Sequence, residues 1–289
     1  MVKSLKIVVT GASGFIAKNL RRYLSEKNVD LISISRNDFK SFKSENKIVS
    51  KNYNEKKILK KIQNSDALIH LVGIGKQSIN ADYNMINTNL TKQMVNLSQK
   101  ARIKKIIYLS GLGVSANVSI DYFISKYNAE KQIITSDLNF TIFRPSYIVG
   151  KNDLLSKNLK KQIRLGEIKI PGSGNYSIQP IHVSDVVKVI FESISKPKFK
   201  NKIIDLVGPD YVTFKKYVKL FSKQSNATIR KIDLESAYYD AIINSKSEFG
   251  IDDLNILIGD FKGDHEKLRK ISKIKFQSVI DLLKSGRLP

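Results

Sequence analysis

In DYFISKYNAEK, residues 121–131, Tyr122 and Lys126 stand four positions apart inside a stretch with helical spacing. A phenol ionises near pH ~10, so Tyr122 is a poor base at neutrality unless a fixed positive charge stands beside it. Lys126 can supply that charge, because residues i and i+4 share a helix face. Such a couple moves a proton to or from a reacting oxygen, with the ammonium lowering the Tyr122 pKa. The plainer reading of the same spacing is two side chains on one face of an amphipathic helix in a Lys-rich chain. Position relative to other chemistry-bearing segments decides between the two.

One such segment is IVVTGASGFIAKNL, which reads GxxGxxA through Gly11, Gly14 and Ala17 where a first strand hands over to a helix. One glycine lets the chain reverse, a second lets backbone approach a pyrophosphate, and a small residue lets helix pack on strand. The helix start then aims free N–H groups and its positive end at the phosphates. A bare Gly-rich turn without a cofactor is the alternative, but the setting in a βαβ unit points to a dinucleotide. An Asp or Glu about 20 residues on would grip the ribose 2′-OH of NAD. Here the second strand ends ISISRN, with no carboxylate and with Arg36 as the first charged group. Its planar fork suits a phosphate, which favours NADP(H) over NAD(H). Arg36 as a solvated loop residue, or stacked on adenine, is the competing reading.

Positioning these groups requires strands buried on both faces, and the first half supplies them. The apolar runs are 5–11, 29–35, 47–50, 66–73, 104–111 and 140–146, alternating with helical patterns at 14–26, 55–64, 81–101 and 121–136. Short Ile/Val-rich runs of this kind predict an α/β fold with a doubly wound parallel sheet. After Gly150 the rhythm breaks. The stretch 151–170 reads as helical, PGSGNYS as a turn-rich loop, and VSDVVKVIFESIS as a helix with Ser184 as its N-cap. A strand at 202–208 precedes a mainly helical last third. The expected division is a dinucleotide-binding domain of 1–150 with 179–208, and a small substrate lobe of 151–178 with 209–289.

Bulk properties exclude several classes. There is no Cys, and His70, His182 and His265 show no ligand spacing, so disulfides, thiolate chemistry and a metal site are not expected. No apolar run approaches a membrane span, and no signal peptide is read, which leads to an expected cytoplasmic protein. Fifty Lys and Arg against 26 Asp and Glu give a formal charge of +24. The surplus is spread along the whole chain, so solvated Lys faces are preferred to a nucleic-acid surface.

Taken together, these segments resemble the short-chain dehydrogenase/reductase superfamily, in its extended or atypical branch of NAD-dependent epimerase/dehydratase proteins. TGASGFIAKNL is similar to that branch's TGxxGFIGxxL, DALIHLVG to DxVIHLAA, INTNLT to NVxGT, YFISKYNAE to YxxSKxxAE, FRPSYIVG to RPxxVYGP, and PIHVSDVV to hVxDVa. The matches keep the family's order from residue 5 to about 190, and VGPDYVTFKKYV extends them to about 218. Within the branch, INTNLTKQMVNL, LSGLG, FRPSYIVGKNDLL and VGPDYVTF look most like the group containing the NAD(P)H-binding accessory subunit of respiratory complex I.

The resemblance implies a Rossmann-type sheet and assigns roles. Gly11, Ser13, Gly14, Phe15 and Ile16 would cradle the pyrophosphate, and Asn52 with Tyr53 would face adenine. Leu71, Val72 and Gly73 would line the ribose side, with Asn87 facing the active site. Pro145, Ser146 and Tyr147 would pass beside the nicotinamide, and Lys126 would also donate to ribose hydroxyls. His182 and Asp185 would join the two domains by packing. The family's third partner, a Ser or Thr after strand five, becomes Ser110 followed by Gly111 and Leu112, so the reacting hydroxyl falls on 111 or 112. Ser110 or Ser115 could substitute. Three functions follow: an NAD(P)-dependent oxidoreductase or epimerase/dehydratase acting on a hydroxyl or carbonyl of a small molecule, including nucleotide sugars; a non-catalytic NADP(H)-holding subunit or assembly factor; and, less favoured, a nucleic-acid-binding relative. Pairing as a homodimer through 81–101 and 121–136, or membership of a larger complex, is implied by the same resemblance.

Overall fold

The computed structural model describes residues 4–53, 55–78, 81–244 and 247–288. In chain order the first elements are β1 (Leu5–Thr10), α1 (Phe15–Ser25), β2 (Val29–Ser35), β3 (Glu45–Val49), α2 (Glu55–Ile62) and β4 (Ala67–His70). A π-helical turn, Asn84–Asn89, runs into α3 (Leu90–Lys100), followed by β5 (Lys105–Leu109), α4 (Asp121–Ile134) and β6 (Asn139–Pro145). Next come β7 (Ile148–Val149), α5 (Leu154–Arg164), β8 (Glu167–Pro171), β9 (Ser177–Ile178), β10 (Ile181–His182), α6 (Val183–Ser195) and β11 (Lys202–Leu206). The remainder holds β12 (Val212–Thr213), α7 (Phe214–Phe221), β13 (Thr228–Ile232), α8 (Leu234–Ile243), α9 (Ile251–Ile258), α10 (His265–Ser272) and α11 (Val279–Lys284).

Seven strands form one sheet in the order β3-β2-β1-β4-β5-β6-β11, every pair parallel. Alternation along β1 explains why the strands read as apolar throughout. Ile7 and Val9 pack with α1 and α6 on one face, while Val8 packs with α2, α3 and α4 on the other. Strand order reverses between β1 and β4, and in open parallel sheets a ligand crevice opens at such a switch point, beyond the carboxyl ends. A third cluster, built from Leu159, Ile168, Ile170, Phe214, Tyr217 and Val279 among others, holds the segments after β6 that lie off the main sheet.

Two local expectations are corrected. The helix expected over 151–170 stops at Arg164, because Gly166 takes φ +82° and EIKIP then pairs in parallel with TIRKI of β13. That pairing also puts a strand into the last third, which is mainly helical as expected, with α7 to α11. Ser184 does not cap α6: His182 does, its ring Nδ1 accepting the Ser184 N–H. Among the described residues no helix is long and apolar enough to cross a membrane, and no group of His, Asp and Glu could hold a metal ion.

Candidate active site

Gly11 opens the crevice in the left-handed region at φ +72°, and a Cβ there would lie 2.9 Å from the Leu71 carbonyl. Only glycine fits both constraints. Gly14 caps α1 without a side-chain bond, so the first N–H groups of the helix, from Phe15 and Ile16 onward, face the crevice mouth. Ser13 Oγ bonds Ser35 Oγ at 3.0 Å and the Ala12 N–H donates to Ile34, fixing the turn to the end of β2. Arg21 of α1 stiffens it from behind, donating to the Ala12 carbonyl at 2.7 Å and pairing with Glu45 in a fully buried bridge.

Arg36 stands exposed just beyond β2. Of the pair expected at adenine, Asn52 is exposed, whereas Tyr53 is turned into the core beside Ile34, Ile48 and Ile58. Burial raises the Tyr53 pKa against the Gly11 N–H and the Arg36 charge. Leu71 and Val72 are partly exposed at the end of β4. A Cβ on Gly73 would lie 2.9 Å from Lys126 Nζ and 3.3 Å from Asn87 Oδ1, so these three groups converge. Asn87 itself is wholly buried, bonded to both backbone groups of Ile74 and to Ser125 Oγ. It pins a loop to α4.

Tyr122 and Lys126 sit one turn apart on α4. The ammonium is buried, 5.9 Å from the Tyr122 ring centre, and donates to the Leu109 carbonyl at 3.2 Å and to Tyr108 Oη at 3.3 Å. Burial pulls its pKa down to about 8, with Glu130 opposing. The expected lowering of the Tyr122 pKa is corrected: burial first, then the Asp252 carboxylate, push it up to about 12. The Tyr122 phenol therefore keeps its proton at neutral pH. Tyr127 and Lys131 repeat the same spacing with the ammonium 5.6 Å from the ring, but Lys131 is exposed. Spacing alone does not distinguish the two pairs; burial does.

Beneath Lys126 runs a buried polar chain. Thr91 donates to the Asn87 carbonyl at 2.6 Å, so His70 Nε2–H donates to Thr91 Oγ1 and His70 Nδ1 accepts from Thr10 Oγ1 at 2.7 Å. Tyr108 stacks on His70 and carries the Lys126 bond. The chain holds the ammonium from below.

Above the couple lies a cavity of about 150 Å³. Ser110, Tyr122, Pro145, Ser146 and Tyr147 all line it, together with Gly111 and Leu112. Ser110 Oγ is buried and has no hydrogen-bond partner. Ser115 is exposed and does not line the cavity. Ser177, Ile178, Ile256 and Phe261 complete the wall. None of these four, nor Asp252, belongs to a motif read from the sequence. The one available signal was the glycine pair around Phe261 in GDFKG. Tyr83 bonds the Asp252 carboxylate and the Gly75 carbonyl, fastening α9 across the crevice. Gln277 bonds Ser184 Oγ at 2.5 Å and, through its N–H, Asp185 at 2.8 Å, so the His182–Asp185 segment meets the run before α11.

A seven-stranded parallel sheet with a glycine cradle at its switch point and a Tyr/Lys couple at its carboxyl edge defines a dinucleotide-binding α/β protein. The chain belongs to the NAD dependent epimerase/dehydratase family, matched over residues 7–206. Among curated relatives, subunit 9 of the NADH dehydrogenase 1 alpha subcomplex of Rattus norvegicus is 26% identical over 54% of this chain and 42% of its own length. The UDP-2-acetamido-2,6-beta-L-arabino-hexul-4-ose reductase of Pseudomonas aeruginosa is 25% identical over 72% of this chain and 54% of its own. The chain thus spans about half the length of these curated relatives. A nucleoside-diphosphate-sugar epimerase from Staphylococcus aureus shares the fold with TM-score 0.78 at 16% identity, covering 97% of this chain and all of that one. A UDP-glucuronic acid 4-epimerase from Bacillus cereus, solved with NAD, gives 0.74 at 17%, covering 97% of each chain.

Proposed function

We propose that the chain binds a nicotinamide dinucleotide and oxidises or reduces a hydroxyl or carbonyl carbon of a small molecule, with Tyr122 moving the matching proton. One observation carries this reading: Tyr122 and Ser110, whose buried hydroxyl has no partner, line the same cavity as the 145–147 turn. The crevice fits the cofactor, since a cradle only glycine can form meets an uncapped helix start, with Lys126 converging on Gly73. Gly11, Ser13, Gly14, Phe15 and Ile16 would hold the pyrophosphate, Leu71 to Gly73 and Lys126 the ribose, and Pro145 to Tyr147 the nicotinamide. When bound, that ring supplies or accepts hydride. Tyr122, protonated at neutrality, donates to the carbonyl oxygen while Ser110 steadies it, and Lys126 offsets the charge that develops. Arg36, exposed where a 2′-phosphate would lie, supports NADP(H) over NAD(H).

A second reading, a cofactor-holding subunit of a larger complex, is favoured by Gly111, which leaves the cavity without the family's usual hydroxyl there. Exposed Met85, Ile124 and Ile134 support pairing through the π-turn and α4. A cytoplasmic setting belongs to the proposal, whereas the Rattus norvegicus relative is mitochondrial by name. The test is identification of the copurifying nucleotide, followed by NADPH oxidation across a carbonyl panel with wild type and Tyr122→Phe. Loss of turnover in the variant is expected. Bound NADPH that no carbonyl oxidises would favour the second reading.

A further inference from the structure

We propose that the reaction cavity is built for a compact, uncharged, mainly apolar ketone, aldehyde or secondary alcohol, and that Phe261 sets this limit. The inference rests on the hydride-transfer reading above and names its substrate class.

Size comes first. An apolar cavity of roughly 150 Å³ takes a benzene-sized guest, while drug-sized ligands occupy pockets of about 300 Å³ and more. The observed volume is about 150 Å³.

Charge points the same way. Leu112, Phe123, Ile178, Ile256 and Phe261 give the wall its large apolar side chains, and among the described residues none that lines it is charged. Besides the Lys126 ammonium, 5.9 Å from the Tyr122 ring, the charges acting on its wall are carboxylates: Asp252 acts on Tyr122, Asp253 acts on Tyr147, and Asp260 receives the Ser177 N–H. Of the lysines near this rim, Lys262 pairs with Asp260 at 3.6 Å, and the Lys76 charge acts on Asp253. The α9 start is matched too, its Gly250 N–H donating to Asp253 at 2.9 Å. A diphosphate needs free Arg, Lys or helix N–H groups, and here it would meet carboxylates instead.

Phe261 is fixed, not incidental. Gly113, at φ +98°, would carry a Cβ 2.6 Å from the Phe261 ring, and a Cβ on Gly259 would clash with the ring's other edge. The ring meets Phe123 edge-on at 5.2 Å. Its loop is held by the Gly263 N–H donating to Gln179 at 2.9 Å and by Tyr211 Oη donating to the Gly263 carbonyl. Two glycines thus form a socket that keeps an aromatic wedge against the cavity.

The test is calorimetric binding to the NADPH-loaded protein, with cyclohexanone set against UDP and UDP-glucose. Wild type is expected to bind cyclohexanone and to show no saturable binding of either nucleotide. Phe261→Ala, with Phe261→Leu as a milder variant, should shift the affinity ratio of 2-acetylnaphthalene to cyclohexanone by about tenfold toward the larger ketone. UDP-glucose binding tighter than cyclohexanone, no ketone binding at all, or an unchanged ratio in both folded variants would overturn the inference. Turnover separates it from the reading beneath. Cyclohexanone that binds without oxidising NADPH refutes hydride transfer but supports the ligand class; a nucleotide-hexulose that oxidises NADPH does the reverse.

Discussion

A Cβ placed on Gly111 would stand 3.6 Å from the Tyr122 hydroxyl and 3.5 Å from its ring, in ordinary contact. The backbone there is not left-handed, so a side chain is accepted without strain. Gly111→Ser would therefore place a second hydroxyl beside the proton donor. A single oriented donor at a developing oxyanion is worth about a hundredfold in rate, and even partial alignment should raise kcat by about tenfold. Steady-state NADPH oxidation on the best ketone substrate checks this. A folded variant with unchanged kcat would show that Ser110 already fills the role.

Arg36 is the nearest fork for a 2′-phosphate at the end of β2. Arg36→Glu should weaken NADPH binding by about tenfold or more and leave NADH binding within about twofold, since only NADPH carries the phosphate. Titration of bound-nucleotide fluorescence reads both constants. Equal losses for the two nucleotides would remove Arg36 from cofactor selection.

His70 should make the fold acid-sensitive. Burial first, and then the Lys126 charge, hold its pKa down to about 3, against ~6.5 in an unfolded chain. As pH falls below ~6.5 the unfolded chain takes up a proton the folded one refuses, so stability is full above that value and drains away toward pH 3. His70→Gln lacks this dependence. Urea midpoints from about pH 7.5 to about pH 4.5 should fall more steeply in wild type than in the variant; parallel curves would count against a buried neutral imidazole.

Glu45 neutralises Arg21 where both side chains are out of solvent. Removing one partner of a buried pair leaves an uncompensated charge, so Glu45→Ala should cost about 3–5 kcal/mol in denaturant unfolding. Because Arg21 also holds the Ala12 carbonyl, nucleotide affinity should drop with it. A loss below about 1 kcal/mol would mean water reaches the pair.

What the sequence made legible was what short-range physics encodes. Ile7, Val8 and Val9 announce a strand covered on both sides because each face needs its own apolar residue, and Gly11 announces a reversal that a Cβ forbids. Tyr122 and Lys126 are local to one helix, so their proximity was readable. The direction of the Tyr122 shift was not, because it is set first by burial in the folded site and then by Asp252, 130 residues away and brought there by α9. EIKIP and TIRKI were missed for a related reason: both are Lys- or Arg-bearing segments whose strand character appears only when they pair across some 60 residues. Phe261 is one apolar letter in a polar run, and its place against Gly113 is a tertiary fact.

The Phe261 socket also separates two kinds of evolutionary change. A larger residue at 113 or 259 meets the Phe261 ring within 3 Å, at positions outside Tyr122, Lys126 and the glycine cradle. Selectivity can then drift between paralogues without a corresponding drift in reaction chemistry.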